Sequence, residues 1–201
     1  MKLYYSPGAC SLSPHIVLRE LGHDPQLVKV DLHSHKTEAG DDFTAVNPKG
    51  YVPALDIGGG EVLTEGAVIV QWLADQTPAA SLMPAAGTPA RYRAQEMLNF
   101  IASELHKVMG GLFEKNLPEE RRALILKRLA SRLAYLESVL AKSAYVLGDS
   151  FSVADAYAFT VLSWAPFVKV DLAPYPNVAA YAGKIAARPA APRRARESPP
   201  A

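Results

Sequence analysis

The sequence predicts an α/β N-terminal half followed by an all-helical C-terminal half. Strand signals alternate with helical ones over about the first 75 residues and are absent beyond them. A stretch rich in Pro, Ala, Gly and Ser, residues 77–89, separates the two halves and is typical of an inter-domain linker. We therefore expect a β-α-β unit, then a β-β-α unit, and then a group of packed helices.

The first unit begins with a short aromatic-rich strand over Lys2–Tyr5, followed by a turn and a helix that ends at Gly22. Pro14 fits the first turn of that helix, where its missing N–H would have no partner anyway. A second strand over Gln26–Val30 completes the unit, for which a parallel pair with a right-handed crossover is expected. Cys10 therefore lies at or just before a helix N-terminus.

The second unit follows a polar, irregular stretch that runs to Asn47. A hairpin is predicted from strands over Val52–Ile57 and Glu61–Leu63 with a Gly-Gly-Gly turn between them, and a helix over Ala67–Ala74 follows. Beyond the linker, apolar spacing predicts helices over 91–109, 119–142, 153–165 and 178–187. The tail from Arg188 onwards, rich in Pro, Ala and Arg, is interpreted as a frayed end.

Composition excludes several classes of function. The formal net charge of +1 gives no field that would favour nucleic acid as a partner. No apolar run approaches the roughly 20 residues that span a bilayer, and the N-terminus lacks a secretory signal, so a cytoplasmic protein without membrane contact is expected. The single cysteine excludes an internal disulfide, and the five histidines show no strong metal-ligand spacing, so we expect no metal.

Cys10 is the first candidate for chemistry, because unpaired N–H groups and the dipole at a helix N-terminus favour a thiolate. Its pKa is expected to fall, with Tyr5 and Ser11 as hydrogen-bond donors to the sulfur anion. The motif Cys10-Ser11-Leu12-Ser13 lacks a second cysteine, so redox chemistry would need an external thiol. The alternative is a buried structural cysteine.

Two backbone features suggest a peptide-like ligand. Pro53, at the start of a predicted edge strand, could hold a cis bond and turn the N–H and C=O of Val52 outward, although an ordinary trans bond is the commoner state. Glu65 and Gly66 lie where a strand passes into a helix, whose N–H groups bind carboxylates, while Glu65 could hold an ammonium group. Alternatively, Glu65 only complements the helix dipole.

In the helical half, Asn99, Ser103 and His106 are spaced to share one helix face beside an apolar one, which suggests a wet cleft. A lone histidine on a helix is more often a surface or satisfied residue. Ser152-Val153-Ala154-Asp155 matches a capping box, and we assign this motif to folding.

Taken together, five segments and the stretch around Asn99 resemble the bacterial beta class of glutathione transferases over about residues 1–190. The segments are Lys2–Tyr5, Pro7–Ser11, Asn47–Pro53, Leu63–Gly66 and Ser152–Tyr157, with Asn99 and Ser103-Glu104-Leu105-His106 between the last two.

The resemblance implies an α/β thioredoxin-like N-terminal domain over residues 1–80 plus an all-α C-terminal domain over 88–201, in a homodimer. It makes a cis Pro53 the expected state and places the cysteinyl backbone of glutathione against Val52, its γ-glutamyl end at Glu65 and Gly66, and its sulfur near Cys10 and His106. The further ligand contacts it implies are Tyr5, Ser11, Asn99, Ser103, Glu104 and Leu105, with His35 or Lys36 for the glycyl carboxylate.

The implied reaction adds the glutathione thiolate to a small hydrophobic electrophile, with Met109, Trp164 and Phe167 lining an apolar cleft. Cys10 adds the option of thiol–disulfide exchange with glutathione. Two alternatives remain open at this point. One is a non-catalytic ligand-binding module of the same fold, and the other is a glutaredoxin-like monothiol reductase, which would not need the helical half.

Overall fold

The computed structural model describes residues 1–191. Its sheet has five strands in the order β3-β2-β1-β4-β5, of which only β1 and β2 pair in parallel. The strands are β1 (Lys2–Tyr5), β2 (Gln26–Asp31), β3 (Lys36–Thr37), β4 (Ala54–Gly58) and β5 (Glu61–Thr64). The predicted parallel β-α-β unit and the hairpin are confirmed, whereas the two-residue strand β3 was not predicted.

Two helices belong to the sheet-containing half, α1 (Leu12–Glu20) and α2 (Gly66–Gln76). After the linker, the described chain forms helices joined by loops: α3 (Pro89–Phe100), α4 (Lys107–Gly110), α5 (Glu119–Leu140), α6 (Val153–Leu162) and α7 (Pro176–Ala186). A π-helical segment, Ile101–His106, connects α3 to α4. The α/β half followed by an all-helical half is therefore confirmed.

The end of α1 shows how the sequence sets the first loop. Gly22 has φ +75°, and its N–H donates to the Arg19 carbonyl at 3.0 Å while that of His23 donates to the Leu18 carbonyl at 2.9 Å. These two bonds form a Schellman motif, which needs the left-handed conformation that glycine adopts readily. The helix stops there, and the chain turns back to form β2.

The main core is continuous across the two halves. It joins residues of β1 and α1, such as Leu3 and Ile16, to residues of the helical half, such as Leu98 and Leu136, all with no more than 1% exposure. All ten residues of α6 are buried, and this helix packs against both α1 and α2. Because α6 is covered on all sides, its polar groups must find partners inside the protein.

Two expectations about the fold need correction. Pro53 precedes β4, which lies between β1 and β5 and is therefore an interior strand, not an edge strand. Arg188 is not frayed, because its Nε donates to Glu20 Oε1 at 2.6 Å and its guanidinium lies 4.1 Å from the centre of the Phe151 ring. The remainder of the predicted tail, residues 192–201, lies outside the described residues, and the boundaries 1–80 and 88–201 stay a prediction.

Along residues 1–191, no helix combines the length and the apolar character that crossing a membrane requires.

Candidate active site

Cys10 lies in the turn between β1 and α1, one residue before the N-cap Ser11. Its S–H donates to the Val52 carbonyl at 3.2 Å, although the two residues are 42 positions apart. The peptide bond from Val52 to Pro53 is cis, as the resemblance implied. The loop before α1 and the loop before β4 therefore meet at the thiol.

The expected fall in the pKa of Cys10 is wrong. Burial raises the pKa of the thiol from 9.0 to about 11, and this outweighs the backbone N–H groups at the helix start and the positive charge of Lys107, which lower it. Ser11 acts on the sulfur only through its backbone N–H, since its hydroxyl donates to the Ser6 carbonyl and accepts from the Ser6 N–H, both at 3.2 Å. Within the part of the chain that the structure describes, no hydrogen bond joins Tyr5 to the thiol.

Glu65 is the N-cap of α2 and has φ 67° and ψ 111°, a conformation that non-glycine residues rarely adopt. Its side chain accepts from Lys49 Nζ at 2.6 Å and from the Tyr51 hydroxyl at 3.0 Å. The bond from Lys49 is the main cause that holds the pKa of Glu65 below its ordinary value. Glu65 thus already binds an ammonium group, and nothing in the sequence pattern identified Lys49 and Tyr51 as its partners.

Gly66, the first residue of α2, lies where several elements converge. A Cβ placed on it would be 3.6 Å from Ser13 Oγ, 3.8 Å from Pro53 Cγ and 4.0 Å from Tyr157 Cζ. The start of α2 is thus in contact with α1, with the cis proline and with the buried helix α6. Glu65 and Gly66 therefore lie beside Pro53. Because Val52, the residue before Pro53, accepts the hydrogen bond from Cys10, the thiol belongs to the same region.

His106 approaches this region from the helical half. Its Nδ1 lies 2.7 Å from the Tyr157 hydroxyl, and its ring packs against that of Trp164 with the ring centres 4.9 Å apart. Trp164 in turn donates from Nε1 to the Gly8 carbonyl at 2.7 Å, two residues before Cys10. Burial lowers the pKa of His106 to about 4, so the imidazole is neutral at pH 7.

Tyr157 was not recognised from the sequence as a site residue. It follows the capping-box motif that we assigned to folding, and the motif does form, with the Ser152 N–H donating to Asp155 Oδ2 at 2.8 Å. The sequence signal for a helix start drew attention away from the tyrosine two residues further on. A tyrosine hydroxyl on a wholly buried helix was the available clue.

The shared face of Asn99, Ser103 and His106 is not observed. Asn99 and Ser103 are exposed, whereas His106 is half-buried against α6, because the wider turns of the π segment change the helical phase between them. Glu104 is engaged by Arg132 Nε at 2.9 Å, and the Leu105 side chain is completely buried in the core. A ligand contact by Leu105 therefore cannot come from its side chain, and the ligand contacts of Glu104 and Leu105 stay predictions.

Packing bears on two more expectations. Met109 is completely buried and does not line a cleft. His35 Nδ1 lies 2.8 Å from the Gly50 carbonyl, next to the loop that carries Val52, whereas Lys36 is an exposed residue of β3. Across residues 1–191, no group of three or more His, Cys, Asp or Glu side chains is arranged to hold a metal ion.

Comparisons with known proteins agree with this geometry. Models of the glutathione S-transferase N-terminal and C-terminal domains match residues 8–76 and 100–189. Glutathione S-transferase GstA of Escherichia coli O157:H7 is 47% identical over 94% of both chains. A sphingomonad glutathione S-transferase complexed with glutathione is 49% identical, with a TM-score of 0.92 and 98% of each chain covered. A bacterial beta class glutathione S-transferase of Sphingomonas chungbukensis is 45% identical, with the same TM-score and coverage. The chain belongs to the glutathione S-transferase family, in its bacterial beta class.

Proposed function

We propose that this glutathione transferase joins the glutathione thiol to small electrophilic hydrophobic compounds, in the cleft where Cys10, Val52–Pro53, Glu65 and His106 converge. The observation that carries the proposal is this convergence, in which the S–H of Cys10 bonds to the Val52 carbonyl at 3.2 Å and the start of α2 contacts Pro53. A relative of 49% identity that was solved with glutathione supports the choice of co-substrate.

The γ-glutamyl end of glutathione is assigned to Glu65 and Gly66. Lys49 and Tyr51 both donate to Oε1 of Glu65, so that among the described residues Oε2 remains to accept from the α-ammonium of the ligand. The free N–H groups at the start of α2 suit the adjacent α-carboxylate. This arrangement recognises the amino-acid end of the tripeptide by two opposite charges.

The remaining contacts are assigned along an extended ligand. The backbone of Val52 faces the cysteinyl residue, and His35, which bonds to Gly50 at 2.8 Å, is closer to that loop than Lys36 and is our choice for the glycyl carboxylate. Asn99 and Ser103 are exposed and available from the helical half.

In the reaction, the glutathione S–H gives its proton to solvent water, and the sulfur lone pair forms a C–S bond to the electrophilic carbon. A halide or similar leaving group departs with its bonding electrons. Binding both reactants in one cleft supplies the orientation. The electrophile is expected to be apolar or aromatic, since the partly exposed Phe167 adjoins Trp164, which borders the His106 ring.

Thiol–disulfide exchange through Cys10 is the second candidate activity. It requires the Cys10 thiolate to attack a glutathione disulfide, forming a mixed disulfide and releasing one glutathione thiolate. Because burial raises the pKa of Cys10 to about 11, the thiolate is scarce at neutral pH. This favours conjugation as the principal activity.

The first experiment follows thioether absorbance with reduced glutathione and 1-chloro-2,4-dinitrobenzene, and disulfide reduction in parallel. Wild type should catalyse conjugation, and Cys10→Ala should keep it within about tenfold while losing any disulfide reductase activity. Loss of both activities in Cys10→Ala would reverse this ranking. No turnover by wild type, with no retention on immobilised glutathione, would instead indicate a non-catalytic binding module.

A second variant tests the assignment of Glu65. Glu65→Gln keeps the shape and removes the charge, so KM for glutathione should rise roughly 10- to 100-fold through loss of one charge-assisted hydrogen bond. Glu96→Gln is a matched control, because Glu96 is likewise an exposed carboxylate that accepts from a cation, Arg93 at 2.7 Å, and it is not assigned to the ligand. An unchanged KM in Glu65→Gln would contradict the assignment.

We also propose that the protein is a cytoplasmic homodimer. Tyr92, Tyr135 and Val68 are 64%, 47% and 47% exposed, and these large side chains are the ones we expect a dimer interface to cover. Sedimentation velocity should give a particle of twice the chain mass, and a concentration-independent monomer would contradict the proposal.

A further inference from the structure

Tyr157 is a buried tyrosine whose hydroxyl has one polar neighbour. Its side chain is 4% exposed, and the hydroxyl lies 2.7 Å from His106 Nδ1. Among residues 1–191 no other hydrogen-bond partner is found for this hydroxyl. A buried hydroxyl proton that has a single acceptor within reach is donated to it, so Nδ1 is the acceptor of this pair.

This hydrogen bond determines where the imidazole proton lies. The ring is neutral at pH 7, because burial lowers the pKa of His106 to about 4, and burial also raises the pKa of Tyr157 far above its ordinary value, so the hydroxyl keeps its proton. A neutral imidazole whose Nδ1 accepts a hydrogen bond carries its single proton on Nε2. Within the described part of the chain, Nε2 makes no hydrogen bond and is free to donate to a ligand.

The rest of the surroundings keep the ring in place. Trp164 packs edge-to-face against His106 at 4.9 Å and is itself tied to Gly8 by a 2.7 Å hydrogen bond. Tyr157 also reaches the start of α2, where its Cζ is 4.0 Å from the position of a Cβ on Gly66. The same tyrosine thus touches both the glutathione-binding end of α2 and the imidazole.

We propose that Tyr157 is a positioning residue that holds His106 in the Nε2–H tautomer, so that the imidazole donates a hydrogen bond to the glutathione thiolate. The opposite tautomer would present a lone pair to the sulfur anion and repel it. This inference rests on the proposed function for the identity of the acceptor, but the tautomer itself is a property of the free protein.

The decisive measurement is the histidine tautomer, from two-bond nitrogen–proton correlations of ¹⁵N-labelled protein without ligand. Wild type should show the His106 proton on Nε2, and Tyr157→Phe, which keeps the ring and removes the hydroxyl, should show a mixture of both tautomers. A proton on Nδ1 in wild type, or an unchanged pattern in Tyr157→Phe, would overturn the inference whether or not the protein is active.

Kinetics supply the second readout. Tyr157→Phe should lower kcat for conjugation about tenfold with KM for glutathione unchanged, and should have no further effect when His106 is already Ala. Tyr181→Phe is the matched control, because it removes a buried hydroxyl that bonds to Asp155 at 2.9 Å, outside the site. Equal losses of kcat in Tyr157→Phe and Tyr181→Phe would show that the Tyr157 hydroxyl has a merely structural role. The same conclusion would follow if the losses from Tyr157→Phe and His106→Ala were additive in the double variant.

Discussion

At the scale of single residues, Cys10 shows how burial can oppose a helix N-terminus. The backbone N–H groups and the dipole favour the thiolate, but the sulfur is also removed from water, and desolvation of the anion is the larger effect here. The S–H is further occupied as a donor to Val52. The thiol of the free protein is therefore protonated at neutral pH.

This leads to a prediction about alkylation by iodoacetamide. Because the pKa is raised to about 11, Cys10 should react at pH 8 on the order of 100-fold more slowly than free cysteine, and its rate should climb steadily as pH rises towards 11. Mass spectrometry of the intact chain measures the rate, and Cys10→Ser gives the background, since Cys10 is the single cysteine. Rapid labelling at pH 7 with no rise at higher pH would contradict it.

The sequence identified those residues whose expected role follows from the turn or helix start in which they stand. Cys10 before a helix, the proline after Val52 and Glu65 at a helix start follow from local pattern together with the family resemblance. Lys49, Tyr51 and Tyr157 could not be found this way, because their contacts join segments far apart in the chain, 51 positions for Tyr157 and His106. Local patterns carry no information on such pairs.

At the scale of elements, the start of α6 is the clearest case of a sequence motif that is also a tertiary junction. Asp155 is fully buried and accepts from the N–H and hydroxyl of Ser152 at 2.8 and 2.7 Å, from the Val146 N–H at 2.9 Å and from the Tyr181 hydroxyl at 2.9 Å. The carboxylate caps α6 and also joins it to α7 and to the preceding loop. Its removal would leave several buried donors without partners.

We therefore expect Asp155→Ala to lower the free energy of unfolding by about 2–4 kcal/mol. Urea denaturation followed by circular dichroism measures this. Ser150→Ala, an exposed change outside the capping box, should alter stability by less than about 0.5 kcal/mol. A loss below about 1 kcal/mol in Asp155→Ala would mean that water replaces the carboxylate at these donors.

The π-helical segment is the element that sequence reasoning could not supply. Its residues, Ile101–His106, fit a continuous α-helix by apolar spacing, and the predicted helix over 91–109 was right in extent but wrong in phase. Such segments occur frequently at functional sites. Here the change in phase is what directs His106 towards Tyr157 while Asn99 and Ser103 stay exposed.

At the scale of the whole molecule, the order of elements was predictable because each has its own periodicity and turn residues. How the two halves pack together was not. The Nε1 of Trp164 bonds to the Gly8 carbonyl 156 positions away, and Arg188 pairs with Glu20 across 168 positions. These contacts and the continuous core bring the helical half onto α1 and α2, and complete the candidate site between them.

The continuous core has a consequence for unfolding. Where two halves share a buried core, neither can lose its structure without exposing the apolar surface of the other, so they should unfold together. The chain provides a test, because it has two tryptophans and one lies in each half. Trp72 is in α2, and Trp164 lies just after α6 in the helical half. Each can report on one half when the other is replaced.

Trp72→Phe leaves Trp164 as the fluorescent reporter of the helical half, and Trp164→Phe leaves Trp72 as the reporter of α2. In each variant, at fixed protein concentration, the thermal midpoint from fluorescence should coincide with that from far-ultraviolet circular dichroism. Trp164→Phe should have the lower midpoint, because it loses the bond to Gly8. If Trp72 fluorescence changed well before the helical signal was lost, the N-terminal half would be an independent unit, and the shared core would contribute little to its stability.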